Sequence, residues 1–224
     1  MFLKIKNYFQ NRSEIENLIL HSQLNFDFLL MCVLSGLIAA IGIILRETAV
    51  LIAAMVLAPL LNPILSLAAG VALFHKKLFF YALKNFFFGF FSIIFFVAIF
   101  TKILIFFDFQ IDFFYFFKKF ADHKIIFLFS FLSFLSGIAA VFLWLHPKNF
   151  FSENLVGVAI AVSLVPFVSF FGILLAAEKF DKLSELFFLF TTNLLALIFG
   201  AILTFFLAGI SKIKKSQIDR EIEN

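Results

Sequence analysis

Charged residues are scarce in this chain of 224 residues: Asp, Glu, Lys and Arg make up 14% of it, against 63% hydrophobic residues. A soluble domain usually carries about 25% charged residues, which cover its surface. The mean hydropathy of +1.10 is correspondingly far above that of soluble domains. The deficit of charge therefore excludes a soluble domain and predicts an integral membrane protein whose main partner is the lipid bilayer.

The residues that metal centres and active sites need are also few. The single cysteine, Cys32, can form no intrachain disulfide and no thiolate metal cluster. The chain lacks a Ser-His-Asp pattern, a glycine-rich phosphate loop and a zinc motif. These absences predict a protein that is not an enzyme and holds no metal or cofactor. Its four histidines lie in separate non-membrane segments, where we expect them to be solvated: His21, His75, His123 and His146.

Acidic and basic side chains are absent from the middle of the apolar runs. Those nearest to the runs lie at their ends, where they can reach the interface or pair in loops: Arg46, Glu47, Lys102 and Glu153. A proton relay built on buried carboxylates is therefore disfavoured. The net charge of +4 comes from loops and tails, where it serves to orient the chain in the bilayer, so it does not indicate a nucleic-acid partner.

What the chain has in abundance is long apolar segments. Six of them approach or exceed the ~20 residues that cross a hydrocarbon core as a helix. They predict an all-α membrane domain over 28–210, preceded by an interfacial segment, 1–27, and followed by a basic tail, 211–224. The predicted spans are Phe28–Leu45, Ala49–Phe74, Leu78–Phe107, Ile125–Leu145, Leu155–Ala177 and Leu186–Ile210.

The distribution of basic residues predicts the orientation. With the N-terminus inside, eleven of the 18 Lys and Arg residues, Lys84 among them, lie on the cytoplasmic side and seven on the other side. Both termini are therefore predicted to be cytoplasmic. No cleavage pattern follows the mixed, charged N-terminal segment, so the first span is expected to be an uncleaved anchor. A capping box, Ser13 to Glu16, predicts a short helix in that segment, either on the membrane surface or solvated.

Proline is rare, with four residues, yet two of them interrupt the second apolar run in "LAPLLNP". In a continuous helix Pro59 and Pro63 would leave the carbonyls of Met55 and Pro59 without partners, and Asn62 adds an amide at the same depth. Such groups must face protein or a water-lined cavity. Pro166 would free the carbonyl of Val162 in the same way, beside the Ser163 hydroxyl. The alternative is that these prolines are tolerated kinks.

Weak internal similarity relates the two halves of the chain. Leu34-Ser35-Gly36 matches Leu135-Ser136-Gly137, "AMVLAPLL" matches "AVSLVPFV", and Asn85 and Asn193 fall at nearly the same offset. Repeat one covers about 28–107 and repeat two about 125–210. Three spans per half would make the repeat inverted in the membrane. Alternatively, Ser35, Gly36, Ser136 and Gly137 serve close helix packing, since the serines begin small-xxx-small patterns.

Four stretches together resemble a known family: "LSGLIAA" from Leu34, "TAVLIAAMVLAPLLNPILSLAAG" from Thr48, "NLVGVAIAVSLVPFV" from Asn154 and "TTNLLALIFGAIL" from Thr191. They are similar to the uncharacterised hydrophobic domain family, domain of unknown function 389, over about Cys32 to Gly209. The resemblance implies a bacterial or archaeal polytopic membrane protein and, for this chain, the bacterial inner membrane. It implies no substrate.

The combined prediction is a six-helix membrane domain of two inverted three-helix repeats, with helices broken at Pro59/Pro63 and Pro166. We expect a transporter or channel for a small polar solute or ion, with a site near the middle of the bilayer. The alternative is a non-transporting scaffold or assembly partner, and a homo-oligomer is open in either case. The predicted site residues are Met55, Pro59, Asn62, Pro63, Val162, Ser163, Pro166 and Asn193.

Overall fold

The structure is a computed structural model that describes residues 24–109, 123–144 and 164–208. In these three ranges every regular element is helical. The order along the chain is α1 (Phe26–Leu45), α2 (Thr48–Leu57), α3 (Leu61–Ala72), α4 (Lys76–Phe106), α5 (His123–Trp144), α6 (Leu164–Ala176), a 3-10 turn (Phe180–Lys182) and α7 (Leu183–Leu207).

Four of these helices are long and apolar enough to cross a membrane, namely α1, α4, α5 and α7. The bent pair formed by α2 and α3 makes a fifth if it is counted as one span. The prediction was six spans. In the place of the fifth predicted span the structure describes 13 helical residues, α6, about 20 Å at 1.5 Å per residue, and they begin where the described range begins. The first part of that predicted span, 155–163, lies outside the described residues.

Several further predictions concern chain that the structure does not describe. They include most of the N-terminal segment, with its capping box at Ser13 to Glu16. They also include the tail, 211–224, and two of the predicted site residues, Val162 and Ser163.

Four helices, α1, α3, α4 and α6, end in the same way. At the end of α1, the Glu47 amide donates to the Gly42 carbonyl at 2.9 Å and the Arg46 amide donates to the Ile43 carbonyl at 3.2 Å. Equivalent pairs of bonds close the other three ends. This is the Schellman motif, which requires a left-handed residue after the helix. Non-glycine residues take that conformation at all four ends: Arg46, Phe74, Asp108 and Glu178.

The start of α4 has a buried histidine cap. The His75 side chain is only 5% exposed, and its Nδ1 accepts a hydrogen bond from the Leu78 amide at 3.2 Å. An N-cap side chain satisfies one of the amides that a helix start leaves without a partner. The expectation that this histidine would be solvated is therefore wrong.

Contacts between the long helices fix their directions. Gly89 of α4 lies beside Phe28 and Cys32 of α1, and Gly36 lies beside Ile93, so α1 and α4 run parallel. Serine and aromatic contacts show that α5 and α7 are also parallel. Because Glu178, after α6, pairs with Lys102 near the end of α4, α1, α4 and α6 all end at one end of the bundle. We call this the Lys102 end and the opposite one, where α4 begins, the Lys76 end.

The α3 helix and the described residues of α6 lie inside the bundle. The α6 helix packs against α4, α1, α7 and α2, and α3 packs against α4 and α7. Every residue of α6 except Leu175 is buried, and α3 is buried continuously from Pro63 to Gly70. A helix that is apolar and buried all round has no polar face to turn towards water. The long helices around them present exposed phenylalanines, as a lipid-facing surface does.

One of the basic residues counted for the orientation lies within a helix. Lys84, counted among the cytoplasmic residues, lies within α4, about 12 Å from its first residue at 1.5 Å per residue. Its side chain is exposed, and its Nζ lies 6.0 Å from the centre of the Phe88 ring. A long lysine side chain on the outer face can extend along the helix towards the interface. The position therefore adds no charge to the interior of the bundle.

Candidate functional site

The chain is interrupted between α2 and α3. The α2 helix ends at Leu57, Ala58 has an extended backbone with ψ 123°, and α3 begins at Leu61. A residue before proline avoids the helical region because the proline ring clashes with it, so Pro59 accounts for the end of α2. The two helices are bent by 53° relative to each other. Pro59 itself is half-buried in this turn. Its restriction on the backbone of Ala58 explains why the helix ends here.

Pro63 has a different role from the predicted one. It is the third residue of α3, in the first turn, where a missing amide costs no helical hydrogen bond. The expectation of a free carbonyl at Pro59 is wrong, because this oxygen accepts a bond from the Asn62 amide at 3.4 Å. Met55 has an interaction with another group of the protein.

Pro166 lies in the first described turn of α6 and is buried. The predicted break before it involves Val162 and Ser163, which the structure does not describe. The neighbouring Ser169 is fully buried and donates through its Oγ to the Gly36 carbonyl of α1 at 3.1 Å. This bond ties α6 to α1 in the interior.

Two of the asparagines, one on α3 and one on α4, lie at nearly the same height in the bundle. The two helices run antiparallel, with Leu60 beside Gly89 and Gly70 beside Phe79. Asn85 is four residues before Gly89, which places it opposite the first turn of α3. That turn contains Asn62, so the two amides are separated along the bundle axis by about one helical turn or less.

A third asparagine, on α7, lies near this height. The ring centres of Phe90 and Phe190 are 5.2 Å apart, so these residues of α4 and α7 are level with each other. Asn193 follows Phe190 by three residues, about 4.5 Å further towards the Lys76 end. The bundle therefore brings three amide side chains, from α3, α4 and α7, to one depth beside the interruption.

These amides are held by neighbouring polar groups. Asn193 is 3% exposed, and its Oδ1 accepts from the Ser130 hydroxyl of α5 at 3.4 Å. Asn85 is 1% exposed and is hydrogen-bonded to the Tyr81 side chain. Asn62 is half-buried and also has a partner. Amides and hydroxyls offer both donors and acceptors without charge, so this depth suits a neutral polar solute or a cation that binds oxygen atoms.

Three phenylalanines form a layer on the Lys102 side of these amides. The rings of Phe90, Phe171 and Phe190 come from α4, α6 and α7, and the centre-to-centre distances are 5.2, 5.9 and 6.1 Å. Aromatic rings at these distances pack favourably. The layer lies between the depth of the amides and the Lys102 end of the bundle. We call it the aromatic layer.

The predicted packing residues lie at two helix crossings. A Cβ added to Gly36 would meet Ile93 Cγ2 of α4 at 2.7 Å, and one added to Gly137 would clash with the Leu197 carbonyl oxygen of α7. Glycine permits such close approach of two helices. Ser35 and Ser136 are buried there, but their hydroxyls donate within their own helices, to the Cys32 and Leu132 carbonyls.

Sequence reasoning selected part of this set. Asn62 and Asn193 were predicted as site residues, and the structure brings them near one depth. Asn85 was noticed only as the counterpart of Asn193 in the repeat, and that offset was the signal that could have added it. Ser130 and Tyr81 gave no signal, because a single hydroxyl in an apolar run is common. Within the described ranges, no group of three or more His, Cys, Asp or Glu side chains could hold a metal ion.

Apolar helices long enough to cross a bilayer, packed around the buried α3 and the buried residues of α6, define an α-helical membrane protein. Residues 55–199 match the model of the family described as Domain of unknown function (DUF389). The chain belongs to this family. It is also 29% identical, over 194 residues, to an uncharacterized protein of Methanocaldococcus jannaschii. That match covers 85% of this chain and 57% of the relative, so the chain spans little more than half of the relative's length. No solved structure matches the chain.

Proposed function

We propose that the protein moves a small polar solute or ion across the membrane through a site near the middle of the bilayer. The observation that carries this proposal is the convergence of Asn62, Asn85 and Asn193 on one depth, beside an interrupted helix. Burying amide groups in an apolar bundle is costly unless they are hydrogen-bonded, and interrupted helices at membrane depth are typical of transporter sites. The protein would act by binding and translocation, without catalysis or a cofactor.

The pairing of helices supports the proposed arrangement as two inverted repeats of three spans each. In the first half α1 packs against α4, with Gly36 at the crossing, and in the second half α5 packs against α7, with Gly137 at the crossing. The contact of α3 with α7 has its counterpart in the contact of α6 with α4. The middle helix of each half therefore contacts the last helix of the other half, as is expected of repeated units around a shared site.

The aromatic layer supports a closed side. Phe90, Phe171 and Phe190 belong to three different helices, so a relative movement of the halves would separate their rings. A hydrophobic constriction excludes water and ions until it widens. We propose that this conformation is closed towards the Lys102 end, and that the second proposed break, before Pro166, borders the same site.

The proposal includes a location and an orientation. The family resemblance and the count of basic residues support the bacterial inner membrane with both termini in the cytoplasm. The Lys76 end would then face the cytoplasm and the Lys102 end the opposite side. The bundle of one chain supplies all three amides, so a homo-oligomer would contribute copies of the site.

Uptake into liposomes tests the function. The purified chain would be reconstituted and supplied with a panel of neutral polar solutes and monovalent cations, alongside protein-free liposomes. We expect uptake of at least one class, reduced about tenfold or more by Asn85→Leu or Asn193→Leu, since losing one well-placed hydrogen bond costs about 1.4 kcal/mol. Uptake no faster than in protein-free liposomes for every solute would contradict the proposal and favour the scaffold alternative.

A matched control separates the site from the fold. Asn25→Leu makes the same change at an exposed residue before α1 that forms no side-chain cap. It should leave uptake at the wild-type level. Equal losses of uptake in Asn25→Leu and Asn193→Leu would argue against a site at the predicted depth, even if the wild-type protein transports a solute.

A further inference from the structure

An open apolar groove follows the outer surface where α4 meets the end of α6. It has a volume of about 650 Å³ and is lined by α4 residues between Phe95 and Phe107 and by Leu175 and Ala176 of α6. From Phe95 to Phe107 the chain rises about 18 Å, slightly more than one leaflet, about 15 Å, of the ~30 Å hydrocarbon core. The groove lies along the helix axis, so it runs from the interface towards the interior of the membrane.

Among the residues that line the groove, Lys102 carries the charge, and it lies in the outer half of the groove, beyond Phe95, Ala98 and Ile99. The Lys102 Nζ donates to Glu178 Oε1 at 2.9 Å. Both side chains are more than half exposed, at 57% and 70%. By this hydrogen bond, and by its charge, Lys102 holds the pKa of the Glu178 carboxyl below its usual value, so the carboxyl stays ionised at neutral pH. Both residues lie near helix ends, where lipid headgroups are found.

We propose that this groove binds one phospholipid whose headgroup carries both a phosphate and a primary ammonium, as in phosphatidylethanolamine. An acyl chain would fill the groove, the phosphate would accept a hydrogen bond from Lys102, and the lipid ammonium would donate one to Glu178. The four charges would then alternate in sign. An exposed ion pair contributes little by itself, so opening the Lys102–Glu178 bond to admit the headgroup costs little.

Charge complementarity sets the selectivity. A phosphatidylglycerol headgroup has a phosphate, which can pair with Lys102, but no cation, so the Glu178 carboxylate would be left without a partner beside a second negative charge. A phosphatidylcholine headgroup has a cation without an N–H, so it cannot donate to the Glu178 carboxylate. Both lipids can fill the groove with a chain, but each satisfies only one of the two protein charges fully.

Native mass spectrometry would measure this preference directly. The protein would be released from vesicles containing equal amounts of phosphatidylethanolamine, phosphatidylglycerol and phosphatidylcholine with identical chains. We expect one retained lipid, with a preference of roughly threefold or more for phosphatidylethanolamine, the effect of one exposed ionic contact. Glu178→Gln should abolish the preference. Equal retention of the three lipids by the wild type would overturn the proposal.

Two matched controls make the result specific. Lys182→Gln removes a partner of the exposed Lys182–Glu185 pair, which is also at the Lys102 end but outside the groove, and should change nothing. Ala98→Trp fills the groove and should displace the lipid, whereas Leu195→Trp, on the exposed surface of α7, should not. A lipid that survives Ala98→Trp, or a dimer that Ala98→Trp dissociates, would overturn the proposal, the latter in favour of a second copy of the chain. Lipid binding and transport are independent, so either can fail alone.

Discussion

At the scale of single residues, close contact between helices depends on glycines, which have no side chain. Gly137 on α5 and Gly200 on α7 face each other's helix so closely that a Cβ on either would clash with a carbonyl oxygen of the other helix, that of Leu197 or Phe134. Backbone atoms cannot move aside as a side chain can. Gly36 has a softer neighbour, because its nearest contact is the Ile93 side chain. The two glycines that match in the repeat therefore differ in what they tolerate.

We predict that Gly137→Ala destabilises the protein more than Gly36→Ala does. Overpacking a close contact costs about 1–3 kcal/mol, and we expect the first variant near the upper value and the second near the lower. The free energy of unfolding, measured by titration with a denaturing detergent in mixed micelles, would give both values. An equal or reversed ranking would show that the backbone contact between α5 and α7 is looser than described.

At the scale of helices, the ends of α1, α3, α4 and α6 combine a shared motif with unfavourable residues. The left-handed conformation costs an L-residue about 1–2 kcal/mol relative to the right-handed one, and glycine avoids most of this cost. At the end of α3 the residue is Phe74, which is 76% exposed. The left-handed conformation of this residue allows the chain to reverse direction between α3 and α4 within three residues.

We predict that Phe74→Gly is more stable than Phe74→Ala by about 1 kcal/mol. Both substitutions remove the ring, so their difference reports the backbone conformation alone. The ordinary effect of glycine, a larger loss of entropy on folding, has the opposite sign. Thermal midpoints in one detergent would rank the two variants, and a more stable alanine variant would mean that residue 74 is not left-handed in solution.

The helix boundaries show how much of the fold could be predicted from the sequence alone. The runs that became α1, α4 and α7 were predicted to within three residues at each end, because length and flanking charges determine a span. Both ends of α5 coincide with the limits of the described residues. The role of Pro63 was mistaken because a proline in an apolar run can end one helix or lie in the first turn of the next. The burial of His75 was missed for a related reason, since helix capping depends on a side-chain conformation that composition does not reveal.

For the candidate site, the sequence identified the types of polar residue but did not predict that they lie at one depth. Asn62 and Asn193 were recognisable as polar residues in apolar segments. Their common depth with Asn85 depends on the register of α3 and α7 against α4, which comes from packing at Leu60, Gly89 and the aromatic layer. Nothing in the local pattern of α7 encodes that register.

At the scale of the whole molecule, helix directions assign turns to the two ends of the bundle. The turns after α1, α4 and α6 contain Arg46, Asp108 and Glu178, all at the Lys102 end. The turn between α3 and α4 is at the Lys76 end. Cys32 is fully buried, so the protein carries an internal thiol that should not compete with introduced ones.

We predict that Arg46→Cys, Asp108→Cys and Glu178→Cys react with a membrane-impermeant maleimide from one side of sealed vesicles, and that Lys76→Cys reacts from the other. With cytoplasmic termini, Lys76→Cys is the one labelled from the cytoplasmic side. The unsubstituted chain, which retains only Cys32, should stay unlabelled. Labelling of Arg46→Cys and Glu178→Cys from opposite sides would contradict the parallel arrangement of α1 and α6.

The burial of α6 has a consequence for how the chain is made. Ribosomes deliver α1, α2 and α4 first, so for some seconds the nascent bundle lacks the helix that will lie between them. Lipid tails must occupy that position until α6 emerges. Docking of α6 then returns those molecules to the bulk bilayer, and their regained freedom favours assembly. In the last steps of biogenesis, the α6 segment would therefore displace lipid tails from between the other helices, without any contact with water.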